Sequence, residues 1–276
     1  MNIAILGLGA MGSRMAARLV AAGHQVAGWN RSAIGAPKGT SLARTPAEAV
    51  ADAEIVIAMV RDDDASHAVW QGADGALAAM RHGALAVECS TITQDRMLAL
   101  GAAATAAGVR VIDAPVLGSR PQADAGQLIH LIGGDAADVA LAEPALAALS
   151  AARLHAGPLG AGAALKLVAN TLFAVQVAAV AELIARMRRL GLDPAQAMDL
   201  LAATPVLSPA AKGAAALMLA GKHEPLFPVA LVAKDLGYAV DAPAAMPIAQ
   251  AALAVFEQAA ATGMADRNLT VVAQAY

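Results

Sequence analysis

The chain is short of cysteine, aromatic rings and charge, and each shortage removes a class of protein. Its 276 residues include one cysteine, Cys89, which excludes an internal disulfide and any multi-cysteine metal site. Cys89 lies in the strand-like run Ala86-Val87-Glu88-Cys89-Ser90, where a small buried hydrophobe is its expected role. The six histidines form no H-x-x-x-H pair, so no metal centre is expected. Charged residues make up 15% of the chain and the net charge is −3, which leaves no basic footprint for nucleic acid. Aromatics reach only 3% against 58% apolar residues, so the core is expected to be Ala, Leu and Val, with close helix–helix approach. An uninterrupted apolar run of about 18 residues is also missing. The stretch from Leu165 to Leu190 is broken by Lys166, Asn170, Gln176, Glu182 and Arg186, so no membrane span is expected. No basic region precedes the first apolar run, so a signal peptide is not expected and a cytoplasmic location is.

What is present is concentrated at the start. A β-type run, Asn2 to Leu6, feeds into Gly7-Leu8-Gly9-Ala10-Met11-Gly12, and a helical pattern opens at Ser13. Strand, G-x-G-x-x-G, then helix is the context that makes this glycine pattern a dinucleotide-binding fingerprint. Gly7 permits the tight turn, Gly9 lets backbone approach a pyrophosphate, and Gly12 allows helix and strand to pack closely. The helix N-terminus then offers N–H groups and partial positive charge to phosphates. The end of the next strand, Gln25 to Trp29, is where an NAD protein usually places an acidic residue for the ribose hydroxyls. Here the chain reads Asn30-Arg31-Ser32. With no carboxylate to repel a 2′-phosphate, and a guanidinium and hydroxyl on hand, NADP is favoured and NAD stays open.

Strands and helices alternate through the first half. Further strands are expected at 54–59, 84–89, 109–113 and 127–132, with helices around 46–51, 65–80, 96–107 and 137–149. That βαβ alternation predicts an α/β Rossmann domain with a doubly wound, mostly parallel sheet over residues 1–161. The acidic run Asp62-Asp63-Asp64 falls at a strand-to-helix junction and is expected to cap the helix. Near residue 160 the character changes at Gly157-Pro158-Leu159-Gly160-Ala161-Gly162. A long helix, about 163–190, is expected to lead into an all-α domain over 162–276, broken at Pro194, Pro205, Pro209, Pro225, Pro228 and Pro247. So long and apolar a helix wants more than one neighbour, and a homodimer is the expected way to bury it.

Three segments can carry chemistry beyond a cofactor. In Gly160-x-Gly162-x-x-x-Lys166-x-x-x-Asn170, the lysine and asparagine share one helical face. A lysine in the first turn of an apolar helix opposes the helix dipole, and a desolvated lysine suits proton transfer; a snorkelling surface lysine is the plain alternative. In Asp113-Ala114-Pro115-Val116-Leu117-Gly118-Ser119-Arg120-Pro121-Gln122, the amides of Gly118 and Ser119 and the cation of Arg120 are placed to hold a carboxylate at a strand's C-terminal edge. Along Phe227-Pro228-Val229-Ala230-Leu231-Val232-Ala233-Lys234-Asp235-Leu236, Phe227, Leu231 and Lys234 are expected on one helical face.

In order, GLGAMGSRMA, NRS, ECSTIT, DAPVLGS, GAGAALKLVAN and FPVALVAKDL resemble the β-hydroxyacid dehydrogenase family over essentially the whole chain. That family contains 3-hydroxyisobutyrate, tartronate-semialdehyde and glyoxylate/succinic-semialdehyde enzymes. The resemblance implies that Lys166 is the catalytic lysine and Asn170 its polar partner on the substrate. It places Ser90 and Thr91 on the nicotinamide side, Met59 and Val60 along the dinucleotide, and Lys234 toward cofactor and substrate. It also implies a Rossmann domain joined by a long helix to a helical, dimerising domain. One segment departs from the family, whose substrate loop commonly reads DAPVSGG. Leu117 stands in place of its serine, and Ser119-Arg120-Pro121 replace the small residues that follow. The implied reaction interconverts a short hydroxy acid and its aldehyde or keto acid, with the substrate itself left open by that loop. Imine reductases, which share the fold and carry Trp-Asn-Arg as in Trp29-Asn30-Arg31, are one alternative. They usually hold Asp or Tyr where Lys166 stands. A non-catalytic NADP-binding protein is the other, and retention of Lys166 and Asn170 weighs against it.

Overall fold

The computed structural model describes residues 1–32, 35–241 and 245–276. It divides into two compact units, Met1–Lys166 and Leu167–Tyr276. The first unit opens with β1 (Asn2–Leu6), α1 (Gly12–Ala21), β2 (Gln25–Trp29) and β3 (Thr40–Leu42). Then come α2 (Pro46–Val50), β4 (Ile55–Ala58), α3 (Asp63–Gln71), β5 (Leu85–Glu88), α4 (Gln94–Ala106) and β6 (Arg110–Asp113). These six strands are parallel, in the order β3-β2-β1-β4-β5-β6. The doubly wound reading therefore holds. Alternation along the strands gives each face its own core, because successive side chains point to opposite sides. Ile3, Ile5, Ile55 and Ile57 pack with Met15 and Leu19 of α1, while Leu6, Val56 and Ala86 pack with Trp70, Met97 and Leu100.

Beyond β6 the chain runs through β7 (Val116–Leu117), α5 (Arg120–Ala125), β8 (Leu128–Gly133), α6 (Ala136–Leu149) and β9 (Ser150–Gly157). Here β8 is antiparallel to β6 and β7 but parallel to β9. Sequence periodicity missed β3, β7, β9 and α5. The first two are too short to show a period, and β9 is an alanine-containing strand whose side chains are mostly exposed or half-buried. The helix expected over 65–80 is shorter. It starts at Asp63 and stops at Gln71, where Gly72 turns extended and a Cβ on it would crowd the Ala68 carbonyl; a 3₁₀ turn follows at Leu77–Ala79. Asp62 caps α3 as expected, its carboxylate accepting from the Ala65 N–H at 2.9 Å.

The long helix α7 covers Ala161–Arg189, and the division between the units falls inside it. By length and mean hydropathy α7 meets the requirements of a membrane span, which counting uninterrupted apolar runs overlooked. Its Ala174, Val177, Ala181 and Ile184 are instead core residues of the second unit. That unit continues with α8 (Pro194–Ala202), α9 (Pro209–Leu219), α10 (Val229–Val240) and α11 (Pro247–Ala259). Pro194, Pro209 and Pro247 each open a helix, where a missing N–H is harmless. The core is built from Ala211, Ala214, Ala215 and Ala252 with Met218, Val232, Leu236 and Phe256, the small side chains allowing helix axes to approach closely.

Candidate active site

The C-terminal ends of β1, β2, β4, β5 and β6 lie side by side, and the residues singled out in the first unit gather there. Backbone bonds step across that edge: Gly7 N–H to the Trp29 carbonyl, Met59 N–H to Leu6, Cys89 N–H to Ala58 and Ala114 N–H to Glu88, all 2.8–2.9 Å. Each glycine of the loop has a separate reason to be glycine. Gly7 has φ +99°, a conformation open to glycine, and a Cβ there would overlap the Met59 carbonyl. A Cβ on Gly12 would overlap the Gly7 carbonyl oxygen. A Cβ on Gly9 would meet no protein atom within 4 Å, so this glycine faces open space at the start of α1. That cleared space beside a helix N-terminus suits a pyrophosphate.

The corner after β2 has divided duties. Asn30 Oδ1 accepts from the Leu8 N–H at 3.0 Å, and its Nδ2 donates to the Ser32 carbonyl at 3.0 Å. Asn30 thus ties the glycine loop to the corner after β2, while Arg31 and Ser32 are exposed. Across the edge, Ser90 Oγ accepts from the Val60 N–H at 2.8 Å, joining the Met59-Val60 loop to Ser90-Thr91. Behind it lies Glu88, fully buried, which accepts from Ser66 Oγ (2.8 Å), Trp70 Nε1 (2.9 Å) and the Ser90 N–H (2.9 Å). Burial pushes the Glu88 carboxyl above its ordinary range, against the pull of those donors. This brace escaped the sequence reading because its members come from α3 and from the end of β5, which only the folded sheet brings together.

The loop after β6 holds a second surprise. Ser119 caps α5 in a capping box with Gln122, and its N–H donates to Gln122 Oε1 at 2.9 Å. The Ser119 amide expected to meet a carboxylate is therefore committed to the helix, leaving Gly118 (φ +108°) and Arg120 as the loop's candidates. The S-x-x-Q spacing was legible and signals this cap. Next to it, buried His130 on β8 has Nδ1 2.8 Å from the Ala114 carbonyl. A carbonyl only accepts, so Nδ1 carries the hydrogen. Burial pushes the His130 pKa down to about 4. An unfolded imidazole takes up its proton near 6.5, so the stability from this group is present above that pH and drains away as pH falls toward 4. Urea unfolding is expected to show about 2 kcal/mol lost from this group between pH 7 and pH 5, absent in His130→Leu. An equal pH dependence in that variant would assign the loss elsewhere.

Lys166 is 8% exposed and Asn170 7%, one turn apart on α7. The helix begins at Ala161, so Lys166 stands in its second turn and not its first, which weakens the dipole argument made for it. In the second unit, Asn170 Nδ2 donates to Asp235 Oδ2 at 2.6 Å, and Lys234 Nζ sits 2.8 Å from Asp235 Oδ1 and 4.6 Å from the Tyr238 ring centre. Asp235, buried at 3%, is the residue the sequence reading passed over. Phe227 is not on the helical face expected for it, because α10 starts at Val229 after Pro228; the Phe227 N–H donates to Asn268 Oδ1 at 2.9 Å.

Two family models divide the chain: the NAD binding domain of 6-phosphogluconate dehydrogenase over residues 2–157, and the NAD-binding region of NADP-dependent 3-hydroxyisobutyrate dehydrogenase over 160–276. Glyoxylate/succinic semialdehyde reductase 1 of Arabidopsis thaliana is 30% identical over 100% of this chain and 98% of its own. The Mycobacterium tuberculosis 3-hydroxyisobutyrate dehydrogenase, solved with L-serine, has a TM-score of 0.90 at 31% identity, covering 99% of this chain and 98% of that one. Streptomyces aurantiacus imine reductase, with a TM-score of 0.65 at 23% identity over 100% and 99%, shares the fold alone. With both halves covered by family models and relatives matched along nearly their whole length, the chain belongs to the β-hydroxyacid dehydrogenase family, as an NAD(P)-dependent oxidoreductase of the 3-hydroxyisobutyrate dehydrogenase type.

Proposed function

We propose that this enzyme reduces the carbonyl of a short aldehyde or keto acid to the hydroxy acid with NADPH, with Lys166 as proton donor, and runs the reverse as an oxidation. The observation that carries this reading is the pair Lys166 and Asn170, both buried and one turn apart on α7. The bound cofactor supplies hydride to the carbonyl carbon. Lys166 ammonium gives a proton to the oxygen as it gains negative charge, and in oxidation the amine takes the proton back. Asn170, its amide plane fixed by Asp235, orients the substrate. Gly118 N–H and the Arg120 guanidinium hold the substrate carboxylate, and Lys234 adds positive charge toward cofactor and substrate.

Gly7 to Gly12, with Leu8, Ala10 and Met11 between, would hold the pyrophosphate; Met59, Val60, Ser90 and Thr91 would flank the nicotinamide side. Arg31 and Ser32 would meet the 2′-phosphate. On α7, Leu165, Val168, Leu172 and Leu183 form one stripe, each 42–61% exposed, which supports a homodimer formed through the helical domain. Such a protein acts as a soluble cytoplasmic enzyme.

The test is NADPH and NADH oxidation against glyoxylate, succinic semialdehyde, methylmalonate semialdehyde and a cyclic imine. Turnover of an aldehyde acid with NADPH preferred is expected. Arg31→Ala should then raise the KM for NADPH about tenfold and leave that for NADH unchanged, because it removes one charge-assisted contact. Turnover of the imine alone defeats the hydroxy acid reading, and an unchanged preference in Arg31→Ala defeats the role of that residue.

A further inference from the structure

Asp113 ends β6 with its side chain 0% exposed, and its carboxylate closes the N-terminus of α7 from 47 to 50 residues away. Oδ1 accepts from the Gly160 N–H at 2.7 Å and Oδ2 from the Ala163 N–H at 2.6 Å, with the Gly162 N–H a further donor. A helix start leaves such amides without partners, and a carboxylate there also meets the positive end of the dipole. The fit is tight. A Cβ on Gly133 would overlap Asp113 Oδ1 and come within 2.8 Å of the Pro158 carbonyl, and one on Gly162 would come within 2.7 Å of Asp113 Oδ2. Two glycines therefore clear the space in which the carboxylate sits.

The same residue begins the loop that leads to Gly118 and Arg120. The next residue, Ala114, is fixed by its N–H to the Glu88 carbonyl (2.8 Å) and by His130 on its own carbonyl (2.8 Å). Lys166 lies three residues, one helical turn, beyond Ala163. We propose that Asp113 is a positioning residue that fixes the start of α7 to the carboxylate-holding loop and so sets where Lys166 stands. It touches no substrate itself. The proposal rests on Lys166 being the proton donor.

The test uses Asp113→Asn in the full-length enzyme, alone and with Lys166→Ala, assayed on whichever carbonyl substrate the wild type turns over best. The amide keeps the shape, but its NH₂ faces a backbone N–H, so one anchoring bond is lost. The expected result is kcat lowered about tenfold or more with NADPH affinity unchanged, since no hydrogen bond joins Asp113 to the glycine loop, and no further loss in the double variant. Hydrogen exchange at residues 160–163 should quicken in step. Gly133→Ala, whose methyl would overlap Asp113 Oδ1 before any other atom, displaces the carboxylate without removing it; it should lower kcat in the same way and is read if Asp113→Asn does not fold. A kcat near wild type, losses that multiply with Lys166→Ala, or parallel loss of kcat and NADPH affinity overturns the proposal, as does failure of both variants to fold. If Lys166→Ala keeps full activity, the proton-donor reading fails first and on its own evidence.

Discussion

Lys166→Ala is expected to lower kcat about 10²–10⁴-fold while NADPH affinity stays near that of the wild type. The magnitude is what a positioned general acid contributes when water or solvent must replace it. Lys166 reaches its place from α7, with 8% of its surface exposed, so no bulk solvent stands ready to do the same work. The glycine loop proposed to hold pyrophosphate is built from β1 and α1, and the hydrogen bonds that shape it come from Asn30, Trp29 and their neighbours. Removing an amine on α7 leaves those bonds untouched, which is why chemistry and cofactor affinity should separate. Lys166→Arg is expected to fare no better, since a guanidinium does not release its proton near neutral pH. Loss of NADPH binding in step with kcat would identify Lys166 as a structural residue. Comparable turnover by Lys166→Ala would remove it from the mechanism.

The second large effect separates two kinds of glycine in one loop. Gly9→Ala is expected to leave the ligand-free protein as stable as the wild type, because the added methyl meets no protein atom within 4 Å. NADPH affinity should nevertheless fall about 10²-fold, as the methyl enters the space the pyrophosphate needs for close approach to backbone. Gly12→Ala differs in kind. Its methyl would overlap the Gly7 carbonyl oxygen, a backbone atom with no rotamer to escape into, so melting temperature and NADPH affinity should both drop. Thermal unfolding with and without NADPH reads both numbers at once, since a ligand that binds only the folded state raises its stability. Unchanged NADPH affinity in Gly9→Ala would mean that the open space beside Gly9 holds something other than the phosphates.

The glycine loop, the parallel strands β1, β2, β4, β5 and β6 and the shared helical face of Lys166 and Asn170 were legible because each depends on near neighbours. A tight turn needs particular φ values at Gly7, a strand repeats every two residues, and positions 166 and 170 face one way on any helix. The capping of α3 by Asp62 and of α5 by Ser119 obeys the same local rules, although the second was passed over and with it the commitment of the Ser119 amide. Short edges were harder. Two or three residues, as in β7 and β3, show no period, and only the neighbouring strand makes them strands.

Order and spacing along the chain were enough for the family, the fold class, the glycine loop after β1 and the shared helical face of Lys166 and Asn170. Tertiary structure alone decided how those groups are held. Asp113 reaches α7 across 47 residues, Asp235 reaches Asn170 across 65, and Glu88 gathers Ser66, Trp70 and Ser90 into one brace. A buried carboxylate must find its donors wherever the sheet register and helix packing place them. Those donors are backbone amides, a hydroxyl, an indole N–H and a side-chain amide, and nothing in the order of the chain pairs them with their carboxylates. Residue type announces that a carboxylate at the end of a strand needs partners; only the folded register says which amides they are.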